Sequence, residues 1–252
     1  MYNGKSTIGV ITARGGSKGI PRKNIRELGG TPLIAWTIKA AKQSALLDDC
    51  VVSTDDDEIA AVAERFGGRV PFRRPAELST DAAKSIPVVQ HALTWMRENE
   101  GKTFDYAMIL QPTSPFRAAE DIDACVRKIV ETGADSVMSM KELVDFSIPK
   151  LKVLDGDRIL PLVEGEGSSS ASRGELRRVY KRNCAIYLTK TDVLMAGDLF
   201  GADSRAHIMP EDRSVDINTP ADFELAKFFA RNRTTPYLPA GQAGTLPPTP
   251  QQ

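Results

Sequence analysis

The stretch 8-IGVITARGGSKGIPRKN-24 decides the fold: residues 8–12 are a short β-branched run, residues 13–24 a glycine-rich basic loop, and Thr31 with Pro32 then opens a helix. The order is strand, phosphate-sized loop, helix. CVVS at 50–53 supplies a second strand, Asp55 to Asp57 offer a cap for the next helix, and Ile59, Val62, Ala63 and Phe66 mark one face of it. Parallel strands joined by a helix are implied. RVPF at 69–72, a helix near 85–98, the strand YAMIL at 106–110, a helix striped by Ile122, Cys125, Val126, Ile129 and Val130, and the strand SVMSM at 136–140 continue the alternation. This predicts an α/β fold with a doubly wound, mostly parallel sheet. Its ligands are expected at the carboxyl ends of the strands, in the loops after residues 12, 54 and 110.

Between residues 141 and 188 the rhythm changes to short, polar, turn-punctuated strands such as KLKVL and CAIYL, read as a small hairpin excursion that serves as a lid or a subunit contact. From residue 233 to 252 the chain is rich in Pro and Gly without apolar periodicity and reads as a disordered tail, leaving 1–232 as a single domain. The 252 residues are 41% hydrophobic and 26% charged, the range of folded globular domains. Thirty-three basic and 33 acidic residues cancel, so the basic excess needed to neutralise a nucleic-acid backbone is absent. No run approaches the roughly 18 apolar residues of a membrane span, and residues 8–13 are too short for a signal peptide. A cytoplasmic protein with no nucleic-acid or membrane partner is expected. Cys50, Cys125 and Cys184 are odd in number and widely spaced in apolar stretches, which fits buried reduced thiols.

The first loop places Arg14, Lys18, Arg22 and Lys23 around Gly15, Gly16 and Gly19. Glycines let backbone N–H groups approach an anion, and the cations neutralise its charge, so a polyphosphate is the expected guest. Neither GxxxxGK[ST] nor GxGxxG is present, which removes the main support for ATPase and dinucleotide readings.

Four ordered segments carry a resemblance: ARGGSKGIPRKN at 13–24, RPAELSTDAAKSI at 74–86, LQPTSPFR at 110–117 and VDINTPADF at 215–223. Over about residues 7–230 the chain resembles the acylneuraminate cytidylyltransferase family, the CMP-sialic acid synthetases and their relatives acting on legionaminic and pseudaminic acids. The resemblance implies an enzyme joining CTP to the anomeric hydroxyl of a nine-carbon 2-keto sugar acid, with pyrophosphate as the other product. It further implies a homodimer, the 141–188 segment crossing to the partner, and a place in cell-surface polysaccharide synthesis.

By that resemblance Arg14, Ser17, Lys18 and Lys23 hold the triphosphate, Lys23 following charge onto the departing pyrophosphate, and Asn24, Arg74 and Ser85 meet the cytosine. Gln111, Thr113 and Ser114 stand between nucleotide and sugar. Asp216 and Asn218 are assigned to Mg²⁺ or Mn²⁺. Family members often read DID where this chain has Asp216 followed by Asn218, so a two-carboxylate site is in doubt. Arg173 is implied for the sugar carboxylate, with Arg177, Arg178 and Arg182 as competitors, Lys150 and Lys152 adding charge, Asn183 and Tyr187 hydrogen bonds, and Phe200 an apolar wall. Cys184 stands where the family usually has Gly.

His91 and His207 are the only histidines, and no Ser-His-Asp or Cys-His set assembles from them. Two other readings stay open: a synthetase for the eight-carbon acid KDO, and a noncatalytic nucleotide-sugar sensor prompted by the missing second carboxylate.

Overall fold

Alternation of apolar residues sets the first strand: in β1 (Thr7–Thr12), Ile8 and Val10 face one apolar layer and Ile11 the opposite one, all three buried. The computed structural model describes residues 1–16, 19–144, 151–163 and 178–231. Ser17, Lys18, Lys150, Arg173, Arg177 and the expected tail at 233–252 lie outside the described residues.

After β1 the chain forms a short ribbon, β2 (Glu27–Leu28) with β3 (Thr31–Pro32), and then α1 (Leu33–Gln43). Thr31 pairs with Leu28 instead of capping, and Pro32 immediately precedes the first helical residue, one position from the expected start. β4 (Asp49–Ser53) leads to α2 (Asp57–Arg65), capped by the Asp56 carboxylate, which accepts from the Ile59 amide. α3 (Ser85–Glu100), β5 (Tyr106–Leu110), α4 (Ala119–Thr132) and β6 (Ser136–Glu142) follow. A hairpin of β7 (Lys152–Asp155) and β8 (Arg158–Pro161) precedes β9 (Tyr180–Lys190), α5 (Thr191–Met195), β10 (Ser204–Ile208) and α6 (Pro220–Arg231).

Among the described residues six strands make the main sheet, in the order β10-β6-β9-β5-β1-β4. Val51 and Val52, and Ile109 and Leu110, repeat the two-sided alternation of β1, so both faces are apolar and both are covered. Ile34, Ile38, Ile122 and Val126 from α1 and α4 close one face, and Val89, Leu93 and Met96 from α3 close the other. Each such aliphatic side chain contributes about 1.5–3 kcal/mol on burial. β1 lies parallel to β4 on one side and to β5 on the other. The chain leaves β1 outward to β4 and returns to β5 across β1. The carboxyl ends of β1 and β5 therefore flank a topological switch point, where open α/β sheets bind ligands.

Two expectations need correction. RVPF at 69–72 is not a strand: it runs beside β4, bonded through the Val52 amide to the Arg69 carbonyl and the Arg74 amide to the Thr54 carbonyl. Pro71, with no N–H to donate, interrupts any ladder there. CAIYL does not belong to the excursion either. It is the buried centre of β9, antiparallel to both β5 and β6, so the sheet is mostly but not wholly parallel. Of the described residues in 141–188, the β7–β8 hairpin is the part that departs from the sheet.

Candidate active site

At the switch point lies a cleft of about 360 Å³. The loop after β1 supplies Arg14, Gly19, Lys23 and Asn24, the segment between α2 and α3 supplies Arg74, the start of α3 supplies Ser85, and the loop after β5 supplies Gln111 and Thr113. Asn218 closes it. Two of the three loops expected to carry ligands, those after residues 12 and 110, line it; the loop after residue 54 leads into α2 and contributes none of the lining.

The first loop is held by its own charges. Arg22 adopts a left-handed conformation (φ 55°) and its guanidinium bonds Asp56 and Glu58 of the α2 start, so this cation is committed to fixing the turn. The Asn24 amide, buried, donates to the Arg14 carbonyl at 2.9 Å. Arg14 pairs with Asp81 at 2.7 Å. The Lys23 ammonium donates to the Ile217 carbonyl at 2.8 Å, and burial lowers its pKa while the Asp216 carboxylate opposes the fall. Arg74 is 6% exposed, not a surface ion pair. Its guanidinium donates to the Ser53 hydroxyl and carbonyl, and burial brings its pKa down to about 10.

Gly19 is set by close approach. A Cβ there would stand 2.6 Å from the Asn218 carbonyl oxygen, a backbone atom that cannot swing aside. Gly19→Ala is therefore expected to push the loop off the 216–218 segment and weaken CTP binding by about tenfold to a hundredfold, matching roughly 1–3 kcal/mol of overpacking strain. Gly16→Ala meets nothing within 4 Å and is the steric comparison; calorimetric titration of both with CTP checks the difference.

Behind the loop after β5 sits Arg117, almost fully buried, donating to the Ala185 and Gln111 carbonyls and the Thr37 hydroxyl. Burial lowers its pKa to about 9. The sequence reading missed this residue. Its signal was a lone guanidinium ending the otherwise uncharged run LQPTSPF. The Thr113 carbonyl accepts from the Ile217 amide at 2.8 Å, joining this loop to the segment carrying Asp216.

Asp216 is the candidate cation ligand. Its Oδ2 accepts from the Asn218 side-chain Nδ2 at 2.7 Å, while its buried Oδ1 has no hydrogen-bond partner. The Cys184 thiol lies against it, the Tyr187 hydroxyl lies against that thiol, and burial raises both their pKa values. Among the described residues no group of three or more His, Cys, Asp or Glu side chains surrounds a metal-sized point. One carboxylate with a bare oxygen beside a substrate-sized cleft fits a hard cation that takes its other ligands from phosphate and water. Asp222 caps α6 reciprocally with Thr219; burial pushes its carboxyl up, but bonds from the Asn218 and Thr219 amides and the Thr219 hydroxyl outweigh this and hold it low.

A second cleft of about 260 Å³ shares Asn218 with the first and is lined by Asp216 as well. Lys141, Lys181 and Arg182 bring positive charge to it, Glu211, Asp216 and Asp222 negative charge, and Leu225 and Phe229 an apolar side. The Arg182 guanidinium lies 5.2 Å from the Phe200 ring centre and 5.9 Å from that of Tyr187. The antiparallel pairing of Lys141 with Lys181 and Met140 with Arg182 creates this cluster. Lys152 lies on the β7–β8 hairpin instead. Ser114 and Asn183, expected to meet the sugar, are buried, and their side chains bond inside the protein. Neither histidine lines either cleft. His91 packs edge-on against Phe72, with burial lowering its pKa, and His207 bonds the buried Asp121.

A family model described as cytidylyltransferase matches residues 8–162. Pseudaminic acid cytidylyltransferase of Campylobacter jejuni is 31% identical over 219 residues, covering 86% of this chain and 93% of that protein. CMP-N,N'-diacetyllegionaminic acid synthase of Legionella pneumophila is 34% identical over 224 residues, covering 87% and 94%. The solved structure of CMP:2-keto-3-deoxy-manno-octonic acid synthetase complexed with CTP superimposes with a TM-score of 0.65 at 17% identity, covering 90% of this chain and 99% of that one, which is a likeness of fold.

Proposed function

The chain belongs to the cytidylyltransferase family, and from that premise we propose that it joins CTP to the anomeric hydroxyl of a nine-carbon 2-keto sugar acid, releasing pyrophosphate. The observation that carries this reading is the pair of clefts that meet at Asn218, both with cations in their lining and Asp216 on the wall of the second. The first suits a triphosphate. The second suits an acid whose carboxylate takes a guanidinium and whose ring carbons take an apolar side.

The reaction is an in-line attack of the sugar oxygen on the α-phosphorus, promoted by placement and by neutralising charge on the phosphate oxygens. Arg14 and Lys23 hold the phosphates, and Lys23 follows charge onto pyrophosphate as it leaves. Asn24, held by the Arg14 carbonyl, Arg74, held by Ser53, and Ser85 read the cytosine edge by hydrogen bonds. Gln111 and Thr113 stand at the junction. Arg182, backed by Phe200 and Tyr187, takes the sugar carboxylate, a role Arg173 was expected to fill. Asp216, with the Asn218 amide beside it, would hold Mg²⁺ or Mn²⁺, which would neutralise charge on the reacting phosphate.

Pyrophosphate release from CTP and Mg²⁺ with neuraminic, legionaminic, pseudaminic and KDO acids in parallel tests the reading. Release with one nine-carbon acid supports it, and release with KDO alone overturns the substrate class. CTP binding without release on any acid favours the sensor.

The active form is a homodimer in this reading. Val153, Leu154, Ile159 and Leu160 of the β7–β8 hairpin are all exposed, Leu154 and Ile159 by about 70%. A two-stranded ribbon with bare apolar faces is marginal in water and needs a cover, which a second copy supplies. Leu154→Glu with Ile159→Glu is expected to yield monomers by analytical ultracentrifugation and to lose most sugar-dependent turnover while retaining CTP binding. A wild-type chain that is monomeric at full activity overturns the assignment.

A further inference from the structure

The family resemblance gives Asn183 hydrogen bonds to the sugar, yet its side chain is 2% exposed and its amide is fully engaged within the protein. Oδ1 accepts from the Ser139 hydroxyl at 2.5 Å and from the Ala185 amide at 3.3 Å. Nδ2 donates to the Ser214 hydroxyl at 2.9 Å and also faces the Met209 sulfur at 3.2 Å. A primary amide has two donor hydrogens and two acceptor lone pairs, so nothing is left for a ligand. The Asn183 carbonyl is occupied too, by the Ser114 hydroxyl at 3.0 Å.

These partners lie on the segments that flank the reaction. Ser214 stands two residues before Asp216, and its hydroxyl donates to the Pro210 carbonyl at 2.7 Å. Ser114 belongs to the loop after β5, whose Thr113 carbonyl holds the Ile217 amide on the other side of Asp216. The local backbone explains why Asn183 turns inward. The β6–β9 register shifts between Met138 and Met140, and Cys184 takes a left-handed conformation, φ 61°, uncommon for any residue but Gly and Asn.

We propose that Asn183 is a positioning residue, not a sugar ligand: through Ser214 and Ser114 it fixes the Asp216 segment against the loop after β5, and so sets where the Asp216 carboxylate meets a divalent cation. This rests on Asp216 being the cation-holding group of the proposed cytidylyltransferase. A buried network whose every member is satisfied is rigid, and removing one member leaves others unpaired. Partners of a ligating carboxylate typically change metal affinity by about 10–100-fold when lost.

The test compares Asn183→Ala, Ser214→Ala and the double variant. Mn²⁺ held on the protein–CTP complex is followed by water-proton relaxation enhancement, which needs no sugar, and kcat and sugar KM are followed by pyrophosphate release. Each single variant is expected to weaken Mn²⁺ binding by at least about tenfold and to lower kcat, with sugar KM near wild type. The double variant is expected to be little worse than the more impaired single one, since both cut the same link. Ser214→Ala removes only a hydroxyl and carries the test even if Asn183→Ala does not fold. A raised sugar KM with unchanged Mn²⁺ binding in Asn183→Ala overturns the proposal, as does Ser214→Ala with wild-type Mn²⁺ binding. A wild-type protein that holds no Mn²⁺ in the presence of CTP overturns the underlying reading of Asp216 instead.

Discussion

Replacing Lys23 with alanine is expected to lower pyrophosphate release by about 10²–10³-fold, the range for removing one pre-set donor to developing charge. CTP binding is expected to weaken far less, because Arg14 stays in the cleft. Lys23 is half-buried and tethered to the Ile217 carbonyl, so its ammonium is placed before substrate arrives and needs no reorganisation as charge moves to the leaving group. The same burial gives a pH signature. Lys23 titrates below its ordinary 10.5, and it is the protonated form that neutralises phosphate, so turnover falls as pH rises through that lowered value. Lys23→Arg is expected to retain part of the rate and to move the alkaline limb upward, because a guanidinium stays charged. Rate against pH for wild type and both variants checks this; an alkaline limb unmoved in Lys23→Arg assigns it to another group.

The parts of the sheet that were legible in the sequence are those whose neighbours are apolar on both faces. Ile8 to Thr12 and Tyr106 to Leu110 read as strands because alternate residues all find a hydrophobic layer, and the stripe on α4 reads as a helix because its other face is wet. Val70 and Phe72 carry the same local signal, but Pro71 between them cannot donate to a ladder. CAIYL read as a strand, but its place in the main sheet was hidden for the opposite reason. The first three residues of β9 are exposed and its direction is reversed, so only tertiary pairing reveals that Ala185 to Leu188 lie at the sheet centre. The basic loop that lines the first cleft was legible because glycines and cations are adjacent in sequence. The charge cluster of Lys141, Lys181 and Arg182 was not, because it exists only through the β6–β9 register. Residue type also misleads when burial is unknown: Asn183 looks like a ligand and is a structural junction.

Asp216→Ala carries the other large expectation, a fall in turnover of about 10²–10³-fold together with a need for at least about tenfold more divalent cation. Two effects add here. The variant loses the unpartnered Oδ1, and it loses the negative charge that holds the Lys23 pKa up, so its residual activity is expected to show an alkaline limb at still lower pH. Cation dependence and pH dependence of the same variant then test one carboxylate in two roles. Asn218→Asp runs the argument in reverse. A second carboxylate placed beside Asp216 repels it while no cation is bound and shares the charge of a cation when one is. The variant is expected to melt at lower temperature than wild type without Mg²⁺ and to gain more than wild type when Mg²⁺ and CTP are added. Equal gains in both proteins count against Asn218 standing next to the cation, and leave Asp216 as the one side chain holding it.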